Sequence, residues 1–445
     1  MRASMLTYQN GRLQVDGLSA ERLAETLGTP VFLFSESTLK GNYAALARGL
    51  SVAGEPATIR YCAKTNNEPA ILSHLAAWGS EALVSHPAEA ELALRCGFSA
   101  DRLAYQRPVL LPEDLRAVIR MGITLLHASD LADVELIEKA ACDLDRRVRV
   151  SLRVRTEGFG TRLSPLGFLA RRLGLARRDL VQVAARVKQS DRLTLSGINA
   201  YIGTQQESVD RYRALVRELV RIGLRLAGEM DLPLEEINIG GGIPSPQVGR
   251  MRIGRLWRRF KDDVSCQAPL HSLEEYAREI ARSYREAADR LSPRPRLVAE
   301  LGRSVIGSAA VLLTRVRAIR GRWAFVDASR HFLPESPLLF CRRVLPATEP
   351  RPGHPQRFYH LSGATLDTLD VLGVRRRLPA LRVGDLLVLC DAGAYSVSRA
   401  TRYAGLLPAV CLVAGDGSWR EIRRAEGLSE LTGTVGMDAP PGAGT

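Results

Sequence analysis

Residues 58–79 read TIRYCAKTNNEPAILSHLAAWG, an apolar run that leads directly into an amphipathic segment. The first part, TIRYCA, has the β-branched and aromatic character of a short buried strand. The later part, EPAILSHLAAW, repeats its apolar residues at spacings of three and four, which is typical of a helix that packs along one face. The stretch therefore predicts one strand–helix unit, with Lys64 at the end of the strand.

The same strand–helix pattern recurs between residues 35 and 310. Further apolar runs lie at residues 82–85, 124–128, 148–154, 195–203, 235–242 and 296–302. Amphipathic segments such as SVDRYRALVRELVRIGL and SLEEYAREIARSYREAADRL alternate with them. Repeated units of this kind predict an α/β fold with a parallel (β/α)8 barrel of the TIM type, and a doubly wound open sheet is the alternative.

The pattern changes after about residue 310. Segments such as AAVLLTRVRAI, RFYHLSG and AVCLVAG have the character of strands, and turns rich in proline, glycine and arginine separate them. The first 34 residues are also strand-like around one short helix. We therefore predict a cofactor-binding barrel at residues 35–310 and an all-β, sandwich-like or barrel-like domain from residues 1–34 and 311–436. A disordered tail is expected at 437–445.

Composition excludes several classes of protein. The 445 residues exceed what one hydrophobic core usually supports. Seven scattered cysteines, without CxxC pairs or a neighbouring histidine cluster, predict neither a metal site nor a disulfide framework. No apolar run is long enough to span a bilayer, and the first residues lack the apolar stretch of a secretion signal. We expect a cytoplasmic protein without a membrane partner.

The net charge of +14 raises the question of a nucleic-acid partner. Arginines are spread along the whole chain and no recognised nucleic-acid motif accompanies them, so we predict that nucleic acid is not bound. The densest basic stretch is GRMRIGRLWRRFK at residues 249–261. Its apolar spacing suits a short helix with a solvated basic face, and docking of an acidic partner is the alternative.

Lys64 is one of five lysines in a chain that contains 57 arginines. Arginine supplies positive charge elsewhere, so this position is a candidate for chemistry that a guanidinium cannot perform. A lysine amine can lose its proton and then condense with a carbonyl. On this stretch alone, an ordinary charge at a strand end is the alternative.

Two further strand ends carry groups that suit a phosphate and a cationic ring. Gly240–Gly242 follow the strand EEINI, where backbone N–H groups can surround a phosphate. After the strand RLVA, Glu300 and Gly302–Arg303 place a carboxylate, bare backbone and a guanidinium together. Together with Lys64, these are the groups that pyridoxal 5'-phosphate requires for its aldehyde, its phosphate and its ring nitrogen.

The chain resembles the fold-type III pyridoxal-phosphate decarboxylases, which include ornithine, arginine and diaminopimelate decarboxylases. Five motifs match that family in order and spacing across nearly the whole chain: YCAKTN, NAYIGTQ, the GGG turn, ELGR and GAY at 393–395. The resemblance implies a barrel joined to a β-domain, pyridoxal 5'-phosphate as cofactor and an amino acid as substrate. It also implies a homodimer in which two subunits complete each active site.

The resemblance further implies roles for single residues. Lys64 would form the Schiff base with the cofactor, and Glu300 would pair with the pyridine nitrogen. Tyr201 replaces the family's histidine that stacks on the ring, and Asp367 matches an acidic position that contacts the substrate. The remaining residues of the implied site are Thr204, Gly240, Gly241, Gly242, Gly302 and Arg303 around the phosphate, and Tyr395 near the phosphate or the substrate.

One motif of the family is altered. Relatives read G-P-x-C-[DE]-S-x-D where this chain has GATLDTLD at residues 363–370, so Leu366 replaces the cysteine that returns a proton to the α-carbon. A leucine donates no proton. The candidates to replace the cysteine are Asp367, Tyr201, His331, His360 and a bound water.

We therefore predict a pyridoxal-phosphate-dependent decarboxylase that acts on an amino acid or a derivative of one. One alternative is racemisation, or other pyridoxal-phosphate chemistry, on an unusual amino acid that is either free or carrier-bound. Another is a relative that binds the cofactor without turnover. An acidic carrier protein is the partner that the basic stretch at 249–261 would suit.

Overall fold

The structure is a computed structural model that describes residues 5–51, 57–156, 172–245, 248–250, 271–335, 340–350, 353, 355–403 and 405–433. Two predictions concern residues outside this set. The short basic helix predicted for 249–261 falls almost wholly on residues that the structure does not describe, and the predicted tail at 437–445 lies outside them altogether.

The described strands are short, and many are buried on both faces. They are β1 (Leu6–Gln9), β2 (Arg12–Val15), β3 (Leu18–Ser19), β4 (Val31–Ser35), β5 (Ala57–Cys62), β6 (Glu81–Val84), β7 (Leu103–Tyr105), β8 (Leu125–Ala128), β9 (Val148–Arg153), β10 (Leu193–Asn199), β11 (Glu236–Asn238), β12 (Val248–Arg250), β13 (Arg296–Leu301), β14 (Ala310–Arg320), β15 (Trp323–Val326), β16 (Phe340–Arg342), β17 (Val344–Pro346), β18 (Gln356–Ser362), β19 (Val371–Pro379), β20 (Leu386–Leu389), β21 (Ala409–Val413) and β22 (Trp419–Arg423).

The α-helices lie mostly between the strands of the first three hundred residues. They are α1 (Ala20–Leu27), α2 (Glu36–Leu50), α3 (Pro69–Ala77), α4 (Pro87–Arg95), α5 (Pro112–Arg120), α6 (Leu131–Asp143), α7 (Leu180–Lys188), α8 (Val209–Met230), α9 (Leu273–Ala288), α10 (Arg303–Ile306) and α11 (Leu428–Thr432). Among the residues that the structure describes, no helix is both long enough and apolar enough to cross a membrane.

The chain divides into two compact units. The barrel unit contains Leu39–Pro246 and Ala268–Ser308, and the β unit contains Met1–Thr38, Gln247–Gln267 and Ala309–Thr445. Both ends of the chain therefore belong to the same unit, although the barrel separates them in sequence.

Eight parallel strands close into a barrel. They are hydrogen-bonded in the cyclic order β10-β11-β13-β5-β6-β7-β8-β9, and every neighbouring pair is parallel. The predicted (β/α)8 barrel is confirmed, and the open-sheet alternative is wrong. Sequence analysis did not find β7, because the three residues LAY are too few to show a period.

Local sequence explains where several barrel helices begin. Pro69, Pro87 and Pro112 each stand at the first position of a helix, where the N–H that proline lacks is not needed. Helix α9 begins with a capping box. The Ser272 hydroxyl accepts a hydrogen bond from the Glu275 N–H, and the Glu275 carboxylate accepts one from the Ser272 N–H, at 3.2 and 2.9 Å.

Charged side chains fill the barrel interior near the N-terminal ends of the strands. The fully buried Arg60 donates to Glu236 at 2.8 Å and to Glu81 at 2.7 Å, and Arg296 reaches Glu236 at 2.8 Å. Buried charges are tolerated when they are paired and hydrogen-bonded in this way. Functional sites of such barrels lie at the opposite, C-terminal ends of the strands.

The β unit is built on a mixed sheet that includes an N-terminal strand. Its main order is β19-β18-β15-β14-β4-β21-β22, and β20 pairs with both β14 and β17. Strand β4 is buried throughout, with Leu33 opposite Val311 on one side and Cys411 on the other. The prediction that the N-terminal segment joins the C-terminal β-domain is therefore confirmed, whereas strands β16, β17, β19 and β22 were not predicted.

Candidate active site

Four consecutive barrel strands carry all the site residues that were predicted in this unit. In the order β10, β11, β13 and β5, their C-terminal ends lead into Tyr201 and Thr204, then Gly240, Gly241 and Gly242, then Glu300, Gly302 and Arg303, and finally Lys64. Residues far apart in sequence therefore meet along one arc of the barrel rim.

Lys64 lies in a single 3-10 turn, Ala63–Thr65, directly after β5. Its side chain is exposed, whereas both neighbours in the turn are buried. The following loop is held in place by Tyr61, whose hydroxyl donates to the Asn66 carbonyl at 3.0 Å. The adjacent Cys62 is no competing nucleophile, because burial raises the pKa of its thiol to about 12.

Glu300 is a buried carboxylate on β13, and its orientation is set from β11. Asn238 Nδ2 donates to Glu300 Oε1 at 2.7 Å, while Asn238 Oδ1 accepts from the Gly240 N–H at 2.8 Å. The Glu300 N–H in turn donates to the Gly240 carbonyl at 2.9 Å. Sequence analysis missed Asn238, and the signal was a polar residue between Ile237 and Ile239, directly before the glycine turn.

Glycine allows each of these strand ends to approach the next. A Cβ atom at Gly240 would lie 2.4 Å from the Ala200 carbonyl oxygen, and one at Gly242 would lie 2.0 Å from that of Gly203. Both residues also have positive φ, at 66° and 105°. The loops after β10 and β11 therefore contact each other through positions that accept only glycine.

Glycine also allows close contact between the ends of β11 and β13, and between the ends of β13 and β5. A Cβ atom at Gly241 would lie 2.2 Å from the Glu300 carbonyl oxygen, and one at Gly302 would lie 2.2 Å from Thr65 Oγ1. Gly302 thus brings the end of β13 against the turn that carries Lys64. The next residue, Arg303, is buried at the first position of α10.

Tyr201 and Thr204 occupy the loop after β10. Tyr201 has an exposed side chain, and its carbonyl accepts from the Thr156 hydroxyl at 3.1 Å. Thr204 is half-buried, and its carbonyl accepts from Gln206 Nε2 at 3.2 Å. These contacts use the backbone of both residues and leave the aromatic ring of Tyr201 at the surface of the barrel rim.

Sequence analysis also missed a histidine in the barrel interior. His127, on β8, has a fully buried side chain whose Nδ1 lies 3.9 Å from Glu300 Oε1. Burial lowers the pKa of its imidazole to about 4, so the ring is neutral at neutral pH. Arg153, at the end of β9, is near enough to Glu300 and Tyr201 to interact with them, although burial still lowers its pKa.

The β unit contains the remaining predicted residues. Asp367 Oδ2 lies 3.3 Å from His331 Nε2 and 3.7 Å from Arg330 Nη1. The His331 ring stacks on Tyr403 with a centroid distance of 4.5 Å. Leu366 is almost fully exposed, at 98%.

Asp370 fixes the shape of the segment that carries Leu366 and Asp367. Its buried carboxylate accepts from the Thr365 hydroxyl at 2.6 Å, from the Arg330 N–H at 2.8 Å and from the Ser329 hydroxyl at 3.2 Å. The segments around residues 330 and 367 are therefore held together by one carboxylate. Tyr395 is half-buried in another loop of this unit, and its φ of 55° is unusual for a residue other than glycine.

The barrel residues fit pyridoxal 5'-phosphate. An exposed amine, a buried carboxylate with a fixed orientation and a rim of glycines lie on adjacent strand ends. The amine suits the cofactor's aldehyde, the carboxylate its ring nitrogen, and backbone amides with an arginine its phosphate.

Comparison with known proteins agrees with this arrangement. Residues 41–307 match the family model described as "Pyridoxal-dependent decarboxylase, pyridoxal binding domain". The chain belongs to the pyridoxal-dependent decarboxylase family. The predicted family, cofactor and fold are confirmed, and decarboxylation is favoured over the alternatives of racemisation and binding without turnover.

The decarboxylase is similar to relatives over almost its whole length. It is 28% identical to a diaminopimelate decarboxylase of Pseudomonas aeruginosa over 433 residues, 96% of this chain and 97% of the relative. It is 24% identical to an L-glutamyl-[BtrI acyl-carrier protein] decarboxylase of Niallia circulans, with 95% and 97% covered. The crystal structure of a diaminopimelate decarboxylase from M. jannaschii has the same fold, with a TM-score of 0.85, 22% identity and 98% of both chains covered.

Proposed function

We propose that this decarboxylase removes the α-carboxyl group of an amino acid or a derivative of one, with Lys64 as the residue that binds pyridoxal phosphate. The observation that carries the proposal is the run of consecutive strands β10, β11, β13 and β5, whose ends bring the proposed cofactor residues of the barrel together. Asp367 and Tyr395 are the residues of the β unit that the resemblance to the family assigns to the substrate.

Each barrel residue has one task in this proposal. The cofactor, when bound, accepts electron density from the α-carbon of the substrate. Lys64 binds its aldehyde, and Glu300 keeps a proton on the ring nitrogen. Tyr201 covers one face of the ring, as an exposed aromatic side chain can.

In this proposal, backbone amides and Arg303 bind the phosphate of the cofactor. The Gly240 N–H already donates to Asn238, so the amides of Gly241 and Gly242 are the ones that suit a phosphate. The Arg303 guanidinium and the Thr204 hydroxyl complete this set. Tyr395 is the residue of the β unit that the resemblance to the family assigns to the phosphate or the substrate.

The proton that returns to the α-carbon after carbon dioxide leaves needs a donor other than Leu366. We infer that His331, paired with Asp367, supplies it. Their side chains lie 3.3 Å apart, and Asp370 holds the two segments together. His360, another candidate, instead stacks on Trp323 at 4.8 Å, and burial lowers its pKa.

The substrate is an amino acid that is free or attached to a carrier protein. Relatives of both kinds align over nearly the whole chain. The net charge of +14 suits an acidic carrier, because opposite charge speeds encounter. A homodimer that shares its active sites accounts for site residues that belong to two units of the chain.

The visible absorbance spectrum of the purified protein tests the cofactor assignment. We expect a band from the lysine-bound cofactor that Lys64→Ala abolishes and Lys40→Ala, on the exposed face of α2, leaves unchanged. Carbon dioxide release is then measured with diaminopimelate, lysine, ornithine, arginine, free glutamate and glutamate attached to an acyl carrier protein. A Lys64-dependent band without release from any of them would exclude the proposed activity on these substrates.

A further inference from the structure

His127 and Glu300 face each other across the barrel from opposite sides. In the cyclic strand order, β8 and β13 are separated by three strands in either direction. Nevertheless, Nδ1 of His127 lies 3.9 Å from Oε1 of Glu300, with no exposed surface on the histidine side chain. The two side chains therefore meet in the barrel interior, on the side of Glu300 where Asn238 also binds.

Packing alone does not explain a histidine at this position. Neither ring nitrogen has a hydrogen-bond partner among the described residues, and the side chain is fully buried. Buried polar groups nearly always have a partner, and one left without any is costly. A leucine would fill a similar space in the apolar strand LLHA without that cost.

The charge state of the His127 ring decides which hydrogen bond it can make with Glu300. Burial lowers the pKa of the imidazole and keeps it neutral, although the Glu300 and Glu236 carboxylates favour its protonation; Arg60 and Arg153 oppose protonation more weakly than burial does. A neutral imidazole has one N–H donor and one acceptor nitrogen, whereas a carboxylate only accepts. Donation from Nδ1–H to Oε1 is therefore the arrangement that suits both groups.

We propose that His127 is a positioning residue that donates its Nδ1–H to Glu300 and so holds the carboxylate in place against the cofactor ring. The inference rests on the proposed pairing of Glu300 with the ring nitrogen. A separation of 3.9 Å exceeds a hydrogen bond by about 1 Å, so a small rotation of either side chain closes the contact. Asn238 and His127 then both donate to the same carboxylate oxygen, Oε1 of Glu300.

The test compares two ligands that differ only at the ring nitrogen. Apoprotein is titrated with pyridoxal 5'-phosphate and with the analogue in which a CH group replaces that nitrogen. His127→Leu removes the donor at similar volume, and His127→Asn keeps an N–H close to the position of Nδ1. We expect the leucine variant to bind the cofactor about tenfold more weakly and the analogue unchanged, with the asparagine variant close to the parent protein.

The Glu300→Gln variant distinguishes an error in the Glu300 assignment from an error in the His127 assignment. Glu300→Gln should remove most of the preference for the cofactor over the analogue. If it does not, the pairing of Glu300 with the ring nitrogen is wrong. If Glu300→Gln behaves as expected but His127→Leu weakens both ligands equally, or neither, then His127 has only a structural role and the inference is overturned.

A measurement on the unmodified chain covers the case in which the leucine variant does not fold. The protein has seven histidines, and the His127 signal in a histidine 15N NMR spectrum is assigned by its loss in His127→Asn. Binding of the cofactor should shift the signal of His127 Nδ1 in the direction expected for a hydrogen-bonded N–H. Binding of the analogue should leave that signal unshifted. Equal shifts with both ligands would contradict the proposal.

Discussion

Asn238 and Glu300, on adjacent barrel strands, are joined by a 2.7 Å hydrogen bond between two buried side chains. The same asparagine accepts the N–H of Gly240, so one side chain sets both the carboxylate and the start of the glycine turn. The orientation of the acid and the shape of the glycine turn therefore depend on each other.

Replacement of Asn238 by alanine should weaken binding of the cofactor and destabilise the fold. It leaves a buried carboxylate oxygen and a buried N–H without their partner, at a cost of about 1–3 kcal/mol. Equilibrium dialysis with pyridoxal phosphate and urea unfolding measure the two effects. Asn199→Ala is the matched control, because Asn199 is equally buried but binds Ser151, at 3.2 Å. Equal loss of cofactor affinity in both variants would argue against a special role for Asn238.

The Gly241→Ala substitution should be severe despite its small size. The new Cβ would lie 2.2 Å from the Glu300 carbonyl oxygen, a backbone atom that cannot move away without shifting β13. Overpacking of this kind costs about 1–3 kcal/mol, and we expect cofactor binding to be lost with it. Gly228→Ala in α8 is the control, since its Cβ meets no atom within 4 Å. That variant should gain up to about 1 kcal/mol of stability.

The buried charge cluster predicts how stability responds to acid. Burial by itself would raise the pKa of Glu236, but Arg60 and Arg296 hold it at about 2. A carboxyl with a depressed pKa contributes stability above its unfolded value of 4.5, and this contribution of roughly 3 kcal/mol is lost as the pH falls towards 2. Urea unfolding between pH 7 and pH 2 should show this loss, and Glu236→Gln should reduce it.

Removal of one member of this buried charge cluster should lower the free energy of unfolding more than removal of a surface ion pair does. Arg60→Met leaves Glu236 and Glu81 with Arg296 as the one cation that they share, so two largely buried carboxylates face a single positive charge. We expect this change to destabilise the protein by about 3–5 kcal/mol. Arg48→Met breaks an exposed pair with Glu274 and should cost less than about 1 kcal/mol. Similar urea midpoints for the two variants would contradict the structural role of the cluster.

The proposed proton donor makes a prediction about two histidines of the β unit. His331→Gln should slow product formation by about 100-fold or more, as loss of a general acid usually does, whereas His360→Gln should have little effect. A second change, Leu366→Cys, should restore part of the activity to the His331→Gln variant. Product formation in single turnovers is the appropriate measurement. If only His360→Gln is slow, the assignment is wrong.

Shared active sites predict complementation between inactive variants. Lys64→Ala removes the cofactor lysine and Asp367→Ala alters the β unit, so each variant alone should be inactive. Refolding an equal mixture should recover about a quarter of the parental activity, because half of the dimers are mixed and each has one intact site. Recovery near zero, from variants that each form dimers in sedimentation, would show that one subunit supplies both residues.

Sequence patterns predicted most of the fold because each strand or helix carries its own period. The strand TIRYCA and helices such as α8 and α9 show it within a single segment. Strand β7 was missed because three residues cannot show alternation. Asn238 and His127 were missed for a different reason, since the residue that each one contacts lies on another strand, distant in sequence.

The sequence by itself determined the alternation of strands and helices over most of the barrel, the glycines after β11 and the family motifs, because these are properties of neighbouring residues. Only the tertiary structure decided that β10, β11, β13 and β5 are consecutive in the barrel, and that His127 meets Glu300 across it. It also decided that Asp367 pairs with His331. Such contacts depend on barrel closure and on the pairing of distant segments, which local periodicity does not encode.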